Sequence, residues 1–237
     1  MAKVIVIDGP DGSGKGTQCS MLKQRLISEN YTLFSCSFPR YKDESSICVR
    51  RYLDGLYGEK PSDVSAYQAS LCYALDRMDF FKSNLEFKEI KENPNVIILT
   101  DRYTTSNLIH QGAKIDNPAE RAKFNEWLWD LEYNILEIPR PDMVIIPLWE
   151  VQTNIDLVYN RGIENRAGDN NMSKDIHEED IDYLRRCIMA THSFKEHMSF
   201  DFIDCMTPDG EKRTKEDIHE EIYGRVKRKV LSKIEGR

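Results

Sequence analysis

Apolar positions along this chain fall into two alternating patterns. Five short runs, AKVIVID (2–8), YTLFSCSF (31–38), NVIILT (95–100), DMVIIPLW (142–149) and FDFID (200–204), are β-branched or aromatic and of strand length. Several are almost continuously apolar, the pattern of strands covered on both faces. Between them, longer stretches carry apolar residues at helical spacing: GKGTQCSMLKQRLISEN after the first run, then residues 44–56, 64–91, 118–136, 151–160, 178–197 and 215–233. Strands that alternate with helices need crossover connections, so the chain is expected to be α/β with a parallel sheet.

No Pro/Gly/Ser linker, internal repeat or shift in composition divides the 237 residues, and the pattern predicts one domain over 1–237. One segment breaks it. RGIENRAGDNNMSKD, residues 161–175, is rich in Gly, Asn and charge and is expected to be a loop between two helices, on its polarity alone a solvated surface loop. The following DIHEE, with His177 and Glu178, reads as a helix start that sets carboxylates near the positive end of the helix dipole. The closing IEGR, 234–237, matches a protease-cleavage sequence and carries no functional weight.

Charge narrows the partners. A formal net charge of −7 argues against a general nucleic-acid surface, because phosphate-backbone binding needs a basic face. A bound phosphate must therefore be held by a local site. No apolar run is long enough to cross a bilayer or act as a signal peptide, so the chain is expected to be cytoplasmic and free of membrane. The six cysteines stand singly without metal-ligand spacing and are expected to be reduced thiols at apolar positions, with no structural zinc.

The chemistry is concentrated in GPDGSGKGT, the nine residues Gly9, Pro10, Asp11, Gly12, Ser13, Gly14, Lys15, Gly16 and Thr17. Gly-x-x-x-x-Gly-Lys between a strand and a helix is a phosphate-binding loop: glycines let backbone N–H groups turn toward phosphate oxygens, and the helix N-terminus adds partial positive charge. Lys15, expected on a solvent-facing loop, would reach the β and γ phosphates of a nucleoside triphosphate. The hydroxyl that usually follows the lysine is replaced by Gly16, leaving Thr17 as the candidate ligand of Mg2+. Asp101 and Arg102 leave the third strand run at its carboxyl end, where an α/β sheet forms its ligand crevice. There a carboxylate can hold the water shell of Mg2+ and an arginine can bridge phosphates, although an Asp–Arg dipeptide also occurs as a plain surface ion pair.

IDGPDGSGKGTQ, FPR, LCYALDR, TDRYTTSNLIHQGAK and PRPDMVIIPL, with the polar segment and the closing helix, resemble the thymidylate kinase family of nucleoside monophosphate kinases. That resemblance implies a P-loop kinase fold: a five-stranded parallel sheet flanked by helices on both faces, with a short lid at about 161–176. It implies transfer of the γ-phosphoryl of MgATP to dTMP, and a homodimer. Carried over by position, Asp11 meets the acceptor's 3′-hydroxyl, Arg102 and Arg40 hold its phosphate, Tyr73 stacks on the base, Arg77 bonds the base edge, and Gln111 and Phe38 line the same pocket. Many members carry an arginine inside the phosphate loop where this chain has Gly12; the resemblance then points to the lid for a cation, with Arg166 preferred over Arg161 and Lys174. Tyr73 and Arg77, four apart on one helical face, equally fit a plain core reading. GKGT and FPR also occur in adenylate kinases, but here FPR follows the second strand. A kinase for another nucleoside monophosphate or a deoxynucleoside, or a nucleotide-dependent switch, remains the alternative; no NKxD guanine-reading sequence supports the switch.

Overall fold

The computed structural model describes residues 1–168 and 180–236, with residues 161–168 and 197 described by their backbone alone. Five strands, β1 (Lys3–Ile7), β2 (Thr32–Ser37), β3 (Val96–Asp101), β4 (Met143–Leu148) and β5 (Asp201–Asp204), form one sheet in the order β2-β3-β1-β4-β5. Every ladder is parallel. The register sets Ile7 opposite both Asp101 and Ile145, so β1 and β3 end together while β4 runs three residues on to Leu148. Since the chain fills one side of β1 before crossing to the other, their carboxyl ends open at the topological switch point, where such sheets bind ligands.

The helices between them are α1 (Lys15–Ser28), α2 (Ile47–Leu53), α3 (Ala66–Ser83), α4 (Leu85–Ile90), α5 (Thr104–His110), α6 (Pro118–Trp129), α7 (Val151–Gly168), α8 (Ile181–His197), α9 (Lys215–Val226) and α10 (Ser232–Glu235). Alternation along each strand sends successive side chains to opposite faces. Val4, Val6, Ile98, Val144 and Ile146 pack with Phe34, Phe38, Phe80, Phe81 and Phe194 on one face; Ile5, Ile7, Ile97, Leu99 and Ile145 pack with Leu22, Leu26, Ile218 and Ile222 on the other. Both faces are thus dry, the physical reason the strand runs are apolar throughout.

Three expectations change. The helix expected over 64–91 is two helices, because Asn84 leaves the helical conformation (ψ 118°) and its side chain accepts from Phe87 N at 2.7 Å to cap α4. The polar stretch expected to be loop from 161 is helical through Gly168 as the end of α7, so Arg161 and Arg166 lie on a helix; Lys174, His177 and Glu178 lie outside the described residues. Two cysteines are not reduced thiols: Cys48 on α2 and Cys72 on α3 are joined as a disulfide, with their Cα atoms brought to 5.2 Å by the packing of the two helices. Cys19, Cys36, Cys187 and Cys205 are free; burial pushes the thiols of Cys19, Cys36 and Cys205 up to about 12. No helix among the described residues is long and apolar enough to cross a membrane.

Candidate active site

The loop from β1 to α1 turns on glycine. Gly14 caps α1 in the left-handed region (φ 82°), starting the helix with Lys15. Gly12 (φ 78°) lies against α7, where a Cβ would stand 2.6 Å from Val158 Cγ2 and 2.9 Å from the Asn154 carbonyl. Backbone shape and space both demand glycine there, so the loop has no room for a cationic side chain at position 12.

This loop forms one wall of a cavity of about 510 Å³. Asp11, Gly12, Gly14, Lys15, Gly16 and Thr17 face it, while Gly9, Pro10 and Ser13 do not. Lys15 is not solvent-facing as expected: it is 6% exposed, with Nζ 3.2 Å from the Pro10 carbonyl and 3.3 Å from Asp11 Oδ1. Arg102 Nη2 donates to the same Asp11 oxygen. Burial alone would raise the Asp11 carboxyl, but the charges of Arg102 and Lys15 outweigh it and hold the group well below the usual carboxylate range. Burial, reinforced by Arg102, lowers the Lys15 ammonium.

Arg102 reaches this position through an unusual backbone. It has φ 64°, held by its N–H on the Ile7 carbonyl (3.1 Å) and by Thr100 Oγ1 donating to its own carbonyl (2.8 Å). A left-handed non-glycine residue costs on the order of 1 kcal/mol and persists where the surroundings over-determine it, often at functional sites. Its Nη1 lies 3.2 Å from His110 Nε2. Because a guanidinium only donates, this geometry requires a neutral imidazole nitrogen as acceptor, and burial pushes the His110 pKa down to about 4.

Asp101 lies at the end of β3 facing Lys15's side of the cavity, and its Oδ1 is buried without a hydrogen-bond partner among the described residues. Burial raises its carboxyl. A Cβ on Gly16 would be 3.6 Å from Asp101 Oδ2, so a hydroxyl residue there would stand beside the carboxylate; Thr17 lines the cavity one helical step on.

Phe38, Tyr73, Arg77 and Gln111 line the same cavity. Phe38 is seated among Phe80, Phe81 and Tyr103, and Tyr73 meets Tyr52 edge-on at 6.4 Å. Arg77 is also a structural residue: Nε and Nη2 form a fork on Glu132 at 2.7 and 2.5 Å, both side chains being buried. Thr104 and Asn107 donate to the same carboxylate. Gln111 is buried with Oε1 unpartnered among the described residues.

Arg40 is the expected site residue that the fold turns away. It is absent from the lining, although its neighbours Pro39 and Tyr41 are there, and its guanidinium is taken by Asp43, Asp76 and Asp79. Three carboxylates already neutralise it. Arg166 has no described side chain.

Sequence reasoning missed Asp8, whose buried carboxylate ties the two halves of the site together. It accepts from Gly9 N (2.8 Å), Tyr103 N (3.1 Å), Thr105 Oγ1 (2.7 Å) and Ser106 Oγ (2.7 Å). An aspartate ending a buried apolar strand, followed by glycine, was the available signal. Ser106, Asn107 and His110 also line the cavity and were missed because TTSNLIH, read without tertiary context, shows no amphipathic pattern. Glu132 gave no signal, since its partner is 55 residues away.

A family model described as thymidylate kinase matches residues 7–222. A thymidylate kinase of Halothermothrix orenii is 26% identical over 231 residues, covering 94% of this chain and 95% of that protein. A probable thymidylate kinase of Methanosphaera stadtmanae is 30% identical over 142 residues, 60% of this chain and 65% of that one. The solved thymidylate kinase of Candida albicans superposes with a TM-score of 0.63 at 16% identity, over 95% of this chain and 91% of that chain, which speaks for the fold.

Proposed function

This chain belongs to the thymidylate kinase family, a family of nucleoside monophosphate kinases, and we propose that it transfers the γ-phosphoryl of ATP to dTMP within one catalytic domain spanning the chain. The observation that carries this reading is the convergence of Lys15 and Arg102 on Asp11 at one end of the cavity, with aromatic Phe38 and Tyr73 in its wall. Two cations at fixed positions suit a reaction whose barrier is lowered chiefly by positioning and charge neutralisation.

In this reading the 9–17 loop cradles the donor phosphates through its cavity-facing residues Gly12 and Gly14 to Thr17, with Lys15 on the transferring group. Arg102 holds the acceptor phosphate and Asp11 meets the acceptor sugar. Tyr73 and Phe38 enclose the base, and Gln111 Oε1 and Arg77 offer it polar contacts. The acceptor phosphate is already ionised near neutral pH, so no general base is required.

Mg2+ fits this donor set. Asp101 Oδ1, without a partner among the described residues, and Thr17 would hold it. Among the described residues no three His, Cys, Asp or Glu side chains form a protein-only metal site, which matches a cation that keeps water and phosphate oxygens as ligands. When bound it supplies charge neutralisation between the phosphates.

Arg166 is the proposed additional cation. Gly12 leaves no space for one in the loop, and α7, which seals Gly12 through Asn154 and Val158, carries Arg166 farther along. The polar segment at 161–176 would act as the lid, with all its residues past 168 outside the described ones. A homodimer is also proposed. Tyr67, Leu71 and Leu75 recur every fourth residue on α3 and are each at least 40% exposed, an apolar stripe fit for a second copy. Leu71→Asp should leave a monomer in sedimentation.

Incubation with MgATP and, separately, dTMP, dUMP, AMP, CMP and GMP tests the reaction, with ADP and the diphosphate measured. Diphosphate formed fastest from dTMP is expected. Preference for another monophosphate would reassign the acceptor, and ADP formation indifferent to the acceptor would indicate a nucleotide switch.

A further inference from the structure

A loop that offers its N–H groups to phosphate must turn its carbonyls away, and a carbonyl turned into the protein needs a donor. On either side of Gly12 that donor comes from the same corner of the fold, between β4 and α7. Asn154 Nδ2 donates to the Asp11 carbonyl at 2.5 Å, and Trp149 Nε1 donates to the Ser13 carbonyl at 3.1 Å. Between these anchors Gly12 is pressed onto Asn154 and Val158 so closely that no Cβ fits.

We propose that Asn154, with Trp149, is a positioning residue for phosphoryl transfer: the pair brackets the phosphate loop, fixing the direction of its N–H groups and the place of the Asp11 carboxylate. The inference rests on reading residues 9–17 as the phosphate loop. Asn154 is well suited to the task because it is fully buried and lies in the first turn of α7, its own N–H bonded to the Glu150 carbonyl at 2.9 Å. Rigid packing of the donor transmits directly to the acceptor. The Asp11 carboxylate is in turn the point on which Lys15 and Arg102 meet, so a shift of the Asp11 backbone displaces both cations together. Asn154 touches none of the expected reacting atoms; it acts through Asp11.

Two full-length variants test the bracket. Asn154→Asp keeps the shape but replaces the donor with an oxygen facing the Asp11 carbonyl, and Trp149→Phe keeps most of the ring without its N–H. For each, kcat per folded molecule, KM for ATP and dTMP, ADP affinity by calorimetry and the melting temperature are measured. Asn154→Asp should lower kcat and ADP affinity by about 10- to 100-fold, with the KM for dTMP within about threefold of the parent; Trp149→Phe should move the same quantities by roughly three- to tenfold. A purely structural role would lower the melting temperature while leaving kcat per folded molecule and ADP affinity unchanged. Folded Asn154→Asp protein with both within about twofold of the parent overturns the proposal; if that variant does not fold, the same result for Trp149→Phe overturns it. ADP binding needs no acceptor, so a parent inactive toward every monophosphate refutes the proposed reaction while the binding comparison still decides the bracket.

Discussion

Arg77→Ala should damage the fold before it reaches catalysis. Arg77 is 1% exposed and Glu132 fully buried, with two bonds joining them at 2.7 and 2.5 Å. Alanine leaves the carboxylate in a dry site with only the Thr104 hydroxyl and the Asn107 amide for company. Breaking a buried pair by removing one partner costs about 3–5 kcal/mol. In a chain of 237 residues each kcal/mol lowers the melting temperature by roughly 2–4 °C, so Arg77→Ala should melt about 6–20 °C below the parent. In the double variant Arg77→Met, Glu132→Gln both charges go, while the amide oxygen still accepts from Thr104 or Asn107; it should recover more than half of the loss. Calorimetric melts of the parent, Arg77→Met, Glu132→Gln and the double complete the cycle, with Arg77→Ala measured beside them. A single-variant melt within about 2 °C of the parent, or a double variant no better than the worse single, would refute the claim that this pair carries structural weight. Separately, dTMP affinity measured well below the melt should fall by roughly 1–3 kcal/mol if Arg77 also bonds the base edge.

Lys15→Ala should lower kcat by at least about 10²-fold in a folded protein, since it removes a cation aimed at developing charge; steady-state assays with circular dichroism check both, and near-parental kcat in folded protein would refute it. Gly12→Ala should abolish transfer and weaken ADP binding in calorimetry, because its Cβ meets a side-chain carbon at 2.6 Å and a backbone oxygen at 2.9 Å. Asp8→Asn should destabilise by roughly 2–4 kcal/mol in urea titrations, because an amide offers NH₂ hydrogens where the four donors to Asp8 need acceptors. His110 gives a pH prediction. Its folded pKa of about 4 lies below the ordinary 6.5, so the unfolded chain binds the extra proton, and stability falls as pH drops from about 6.5 toward 4, by about 3 kcal/mol in all. His110→Gln should flatten that part of the stability curve in chemical denaturation at stepped pH.

The strands and the phosphate loop were legible because each is specified locally. A run such as AKVIVID is apolar on both faces and can only be covered twice, and GPDGSGK needs glycines because its own backbone must turn. Asp101 and Arg102 were legible for the same reason, being tied to a strand end. The resemblance to a known family added Tyr73 and Arg77, which pattern alone left open to a core reading, and Gln111, to which pattern gave no role. What the sequence could not announce are pairings between distant residues. Arg40 stands in a motif that reads as phosphate-binding, yet the fold surrounds it with Asp43, Asp76 and Asp79, and electrostatics within the folded chain claims it. Arg77 gained Glu132, Cys48 gained Cys72, and Gly12 gained Asn154 and Val158, each across a separation that periodicity cannot see. Local sequence thus determined the parallel sheet and the loop at its carboxyl edge, because backbone conformation and burial are properties of short segments. Only the tertiary structure decided which charges remain available to a ligand and which are spent on one another, because that depends on neighbours brought together by packing.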